Sequence, residues 1–93
     1  MAKPFYRQIV VEYNEVERRR DAYGEKETIA IPFRIISWRK EREESPLVWK
    51  EIQCPQKTFF GINGYYGTLG LGVQFYNRTT KKMHKEPPKS VNL

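Results

Sequence analysis

The sequence predicts a small, mainly β fold, all-β or α+β: a strongly bent antiparallel sheet or a small barrel of about five strands. Three observations carry this. Residues 5–13 and 28–38 alternate apolar and polar side chains with the period of two of a half-buried strand. Glycines recur at Gly61, Gly64, Gly67, Gly70 and Gly72, where missing side chains let a strand bend and twist. A chain of 93 residues makes one domain with a small core, which short curled strands can enclose.

The first strand places Phe5, Arg7, Ile9, Val11 and Tyr13 on one side, with Tyr6, Gln8, Val10 and Glu12 on the other. Asn14 followed by Glu17 matches the spacing of a capping box, so one short helix near residues 15–23, stopped by Gly24, competes with a long polar hairpin loop. In the second strand Ile29, Ile31, Phe33 and Ile35 alternate and are expected in the core. Pro32, which cannot donate to a ladder, points to an edge or a bulge. Residues 39–46 are too polar to bury. Leu47 to Gln53 forms a shorter strand with Val48 and Ile52 on one side and Leu47 and Trp49 on the other, closed by Pro55.

Asn63-Gly64 is the preferred dipeptide of a type I′ turn, so residues 57–66 are expected to form a hairpin. Val73 to Tyr76 resumes a regular strand. The domain is assigned to residues 1–85, and residues 86–93, with Pro87-Pro88, to a polar tail.

Charge is unevenly spread. Residues 1–51 hold 11 basic and 10 acidic side chains, whereas residues 52–93 hold 6 basic and 1 acidic, out of a net charge of +6. A surface of one sign gathers polyanions, so the second half is the expected binding half. Arg18-Arg19-Arg20 carries less weight, because Glu15, Glu17 and Asp21 cancel its far field.

Chemistry is sparse. Cys54 is the only cysteine and His84 the only histidine, so no zinc site and no nucleophile-base pair emerges. No paired-carboxylate arrangement stands out from the surface charge, and Gly70-Leu71-Gly72 lacks the rest of a dinucleotide fingerprint. The expectations are no cofactor, no metal and no enzymatic activity. No apolar run reaches the roughly 20 residues that span a bilayer. Met1-Ala2-Lys3-Pro4 does not resemble a secretory leader, so the chain is expected to be soluble and cytoplasmic, without a membrane partner. Asn77-Arg78-Thr79 is then a coincidental glycosylation sequon.

Aromatic rings beside a cationic strip suit the stacking of bases and neutralisation of phosphates. The first expectation is a nucleic-acid-binding module, RNA or single-stranded DNA favoured, with Tyr65, Tyr66 and Tyr76 as candidate stacking rings. Arg78, Lys81, Lys82 and Lys85 would track the phosphates, extended by Arg39 and Lys40 and also by Arg34. Phe59 and Phe60 belong to the same pool of rings. Adjacent rings on a strand face opposite ways, so about half of any such set belongs to the core. The alternative is a protein-binding module, a small subunit or regulator that presents a sheet edge and a basic tail to an acidic protein surface.

Overall fold

The computed structural model describes residues 6–19 and 22–89, and over them the chain is mainly β. The strands are β1 (Tyr6–Arg19), β2 (Lys26–Lys40), β3 (Val48–Ile52), β4 (Gly72–Asn77) and β5 (Lys82–His84). They form one sheet in the order β3-β2-β1-β4-β5, and one helix, α1 (Phe59–Thr68), lies between β3 and β4 in the chain. The sheet is open and mixed, not a barrel. β1 pairs antiparallel with β2 and parallel with β4. A parallel neighbour requires a crossover, and the β3-α1-β4 segment supplies it.

Of the two readings of residues 15–23, a short helix or a hairpin loop, the described residues do not form the helix. β1 continues as strand to Arg19, and the chain reverses around Gly24, whose φ of +86° is one that glycine adopts without strain. An ion pair ties the two strands there, from Arg18 to Glu27 at 2.6 Å. Val16 and Tyr23 give a helix no stripe to bury, whereas a hairpin satisfies the backbone without one.

The expected hairpin at residues 57–66 is α1 instead. Phe59, Ile62 and Tyr66 recur at helical spacing and all three are buried. The Thr58 hydroxyl caps the helix by accepting from the Gly61 N–H at 2.9 Å. At the other end the Leu71 N–H reaches the Tyr66 carbonyl at 3.1 Å and the Gly70 N–H the Gly67 carbonyl at 3.0 Å. This is a Schellman end, with Gly70 at φ +74° and Leu71 packed on the core. Each helical glycine costs about 1 kcal/mol relative to alanine, and burying a Phe side chain returns about 1.5–3 kcal/mol, so packing overrides propensity.

α1 lies on one side of the sheet. Its Phe59, Ile62 and Tyr66 form the core with Ile9, Val11, Tyr13, Ala30 and Phe75. Tyr13 meets Phe59 edge-on at 5.5 Å, and Phe59 meets Phe75 at 6.1 Å. β1 thus bears out the alternation expected of Ile9, Val11 and Tyr13.

β2 does not keep a single alternation. Glu12 pairs with Arg34 but Tyr13 with Pro32, so Phe33 is an extra residue in a bulge and the two halves of β2 are out of phase. Ile35 packs against the helix-side core, while Ile29 opposite Val16 lies on the other side of the sheet. Ile31 and Phe33 are exposed. The expected common burial of Ile29, Ile31, Phe33 and Ile35 is therefore wrong for that pair, although the bulge suggested by Pro32 is present. β3 pairs with β2 only between Ile35 and Arg39, so among the described residues no strand pairs with that edge of β2 from Lys26 to Arg34.

Candidate nucleic-acid interface

The strands that build the core present their alternate residues to the side without a helix. Val10 opposite Ile36 and Val16 opposite Ile29 line that side. Val10, Ile36 and Ile29 are buried yet stand outside the helix-packed cluster. Around them the surface is aromatic and cationic. Trp38 and Trp49 face each other across β2 and β3 with ring centroids 6.3 Å apart.

From Trp49 a ladder continues inward. The Arg34 guanidinium carbon lies 5.4 Å from the Trp49 ring and 5.5 Å from the Phe33 ring, and that of Arg78 lies 3.7 Å from Phe33. All three separations fall within cation-π range. The bulge makes this possible, because the inserted residue sets Phe33 beside Arg34. Phe33 and Trp49 each keep 50% of their surface exposed. Glu12 lies beneath the ladder with its side chain 12% exposed. Its Oε1 accepts from Arg34 Nε at 3.2 Å and stands 3.9 Å from Arg78 Nε. Exposed Glu51, paired with Ile36, is on the same side nearer the β3 edge.

Arg78 is positioned by its backbone. Its N–H donates to the Tyr13 carbonyl at 2.8 Å, as β4 gives way to a turn. The turn is fixed by buried Asn77, whose Oδ1 accepts from Thr79 and Thr80 N–H groups and whose Nδ2 donates to Glu15 at 2.5 Å. Burial and this donation leave no room for a glycan on Asn77 in the folded chain. The Lys81 N–H closes the turn on the Asn77 carbonyl at 2.7 Å, with Lys81 at φ 61°.

The expected site residues divide among several places. Tyr76 joins the open side between Glu12 and Met83, near Arg78. Tyr65 is exposed on α1, on the opposite side of the sheet, and meets Tyr66 edge-on at 5.0 Å. Tyr66 is only 4% exposed, packed in the core, and cannot stack on a base there. Burial, followed by neighbouring Cys54, raises its phenol pKa from 10.0 to about 12. Burial and then Glu15 raise that of Tyr13, against a hydrogen bond with Asn77.

Lys81 and Lys82 lie exposed at the start of β5, and Lys85 just past its end. Lys82 to His84 is itself a strand, an edge strand that sequence alternation did not mark. Nor is Arg78 without an acid, since β1 brings Glu12 to it. Arg39 and Lys40 sit at the far end of β2, roughly 20 Å along the strands from Lys82 and with β1 and β4 between them and β5, and do not join the lysines there.

The described part of the tail is not free either. Pro87 and Pro88 are half-buried, and residues 84–89 line a cleft of about 660 Å³ with Tyr13, Glu15, Thr28 and Ala30. Residues 90–93 lie outside the described part. Among the described residues no cluster of three or more His, Cys, Asp or Glu could hold a metal ion, and no helix is long and apolar enough to cross a membrane.

Sequence reasoning centred the site on glycine-rich residues that became a helix. It missed Trp38, Trp49, Phe33 and Glu12, although Arg34 was noted as an extension of the track. The available signal was that both tryptophans of the chain fall on strand-like segments and each is followed by a cation, Arg39 and Lys50. Comparison with known protein families, curated proteins and solved structures finds no match to this chain.

Proposed function

We propose that this protein is a small non-enzymatic module that binds single-stranded nucleic acid on the helix-free side of its sheet. The observation that carries the reading is the Trp49, Arg34, Phe33, Arg78 ladder, in which half-exposed rings alternate with guanidiniums. Single-stranded bases stack on aromatic and guanidinium planes without sequence-specific contacts, and cations beside the rings meet the phosphates. Tyr76 extends the stacking surface. Arg78, Lys81 and Lys85 supply a cationic border at the β4-β5 end, whereas Lys82, opposite Asn77, stands on the helix side of β5.

The test is a salt titration of binding to a mixed single-stranded oligonucleotide pool, followed by tryptophan fluorescence. Both tryptophans belong to the proposed surface, so stacking quenches the signal. Log K falls with log salt at a slope near −0.7 per phosphate neutralised, or about −2 for three phosphates. Absence of association at low salt would refute the reading. It would favour a protein-docking module instead, for which exposed Phe60 on uncharged α1 and Leu69 at its C-terminal cap offer apolar surface.

A further inference from the structure

Glu12 keeps the alternation of β1 but is a carboxylate on the central strand of the sheet. It sits between Val11 and Tyr13 in the middle of the sheet, with its side chain 12% exposed. A carboxylate is stable there only if cations take over from solvent. Here one oxygen, Oε1, serves both Arg34 and Arg78, at 3.2 and 3.9 Å. Two guanidiniums and one carboxylate leave an excess of one positive charge. Arg78 meanwhile lies on Phe33 at 3.7 Å, over the ring surface that a base would use.

This constellation has the chemistry of an occupied phosphate subsite. A backbone phosphate carries one negative charge and presents oxygens to the same guanidinium forks. Resting on the nucleic-acid reading above, we infer that Glu12 is a built-in phosphate surrogate. Its carboxylate holds Arg34 and Arg78 together over the open sheet until a phosphate of single-stranded nucleic acid takes its place on Arg78, the looser partner at 3.9 Å, while Arg34 at 3.2 Å goes on compensating the carboxylate. Arg78 then follows the phosphate and uncovers Phe33, so that stacking and phosphate capture occur in one exchange. An uncharged aromatic molecule has no group with which to displace Glu12, and the internal ion pairs exclude it.

The experiment compares the parent with Glu12→Gln, which keeps the size and removes the competing charge. A single-stranded uridine 12-mer, inorganic tripolyphosphate and a glutamate-rich peptide are each titrated at several salt concentrations. Thermal melts verify the fold. The exchange predicts that Glu12→Gln binds the 12-mer about five- to tenfold more tightly, with a salt slope steeper by about one phosphate equivalent. Tripolyphosphate should gain in the same direction.

If the glutamine variant does not fold, Glu12→Asp, which retracts the carboxylate while keeping its charge, gives a smaller gain of the same sign. Unchanged or weaker 12-mer binding by a folded Glu12→Gln, with the parent binding, overturns the surrogate and leaves the nucleic-acid reading standing. A gain for tripolyphosphate without 12-mer binding by either protein supports the surrogate and overturns that reading. Peptide binding as tight as the 12-mer overturns phosphate as the ligand class, and no uptake of any probe by either protein overturns both.

Discussion

The two sides of the sheet are made by the same strands and differ in what covers them. On the helix side Ile9, Val11, Phe59 and Phe75 are fully removed from water and lock together by ring-edge packing. On the other side Val10, Ile29 and Ile36 are buried in the sheet surface, while Phe33, Trp49 and Met83 remain about half exposed. The helix side closes with hydrocarbon. The open side closes with guanidinium and aromatic planes, which bury apolar surface without removing all of it from a ligand. In one short chain, residues of similar hydrophobicity are therefore withdrawn from water on one side and left half exposed on the other.

Truncating one ring on each side sharpens that contrast most. Phe75→Ala leaves a cavity in the helix-side core and should cost about 3–5 kcal/mol, a large part of the stability of a domain this small. Phe33→Ala, at a half-exposed ring, should cost about 1 kcal/mol or less. Urea denaturation of both variants checks the difference. Equal losses would mean that the open side is as structural as the covered one.

Alkali tests the covered side alone. Because burial raises the Tyr66 pKa from 10.0 to about 12, the unfolded chain loses its phenolic proton first. The contribution is fully present below pH 10 and is lost as pH rises from 10 towards 12, a loss on the order of 2–3 kcal/mol. Tyr13, raised in the same sense, adds to it. Melting temperature followed across that window should fall for the parent and fall less steeply for Tyr66→Phe.

Binding variants test the open side. Trp49→Ala and Phe33→Ala should each weaken association with single-stranded oligonucleotide by about 1–3 kcal/mol with the fold intact, read by fluorescence or calorimetry. Replacing Lys81 and Lys85 together by Ala should have the smallest energetic effect. Stability should change by less than about 0.5 kcal/mol, while the salt slope flattens by up to about two phosphate equivalents.

The contrast between the sides also explains what could be read in advance. The alternation of Ile9, Val11 and Tyr13 identified their common side, because strand period is a local property of the chain. Val48 and Ile52 were separated correctly from Trp49 for the same reason. Phase was lost at Phe33, since a bulge inserts one residue and reverses every side chain beyond it. The glycine-rich segment misled because Asn63-Gly64 is a strong turn signal, while Phe59, Ile62 and Tyr66 form a helix only when a sheet is present to receive them. The Glu12 ion pairs join residues far apart in sequence and follow from the pairing of β1 with β2 and β4. Charge counting along the chain treated Arg78 as uncompensated for that reason.

The central claim is that nucleic acid meets the side of the sheet away from α1. The most direct measurement is an NMR titration of the isotope-labelled protein with a single-stranded 12-mer, following the indole N–H signals of Trp38 and Trp49 and the backbone amides. The account predicts that both indoles and the amides around Phe33, Tyr76 and Arg78 shift progressively, while those around Phe60, Gly64 and Leu69 on α1 stay in place. Shifts confined to α1, or to the cleft between the 84–89 segment and the β1-β2 hairpin, with both indoles unmoved, would contradict it.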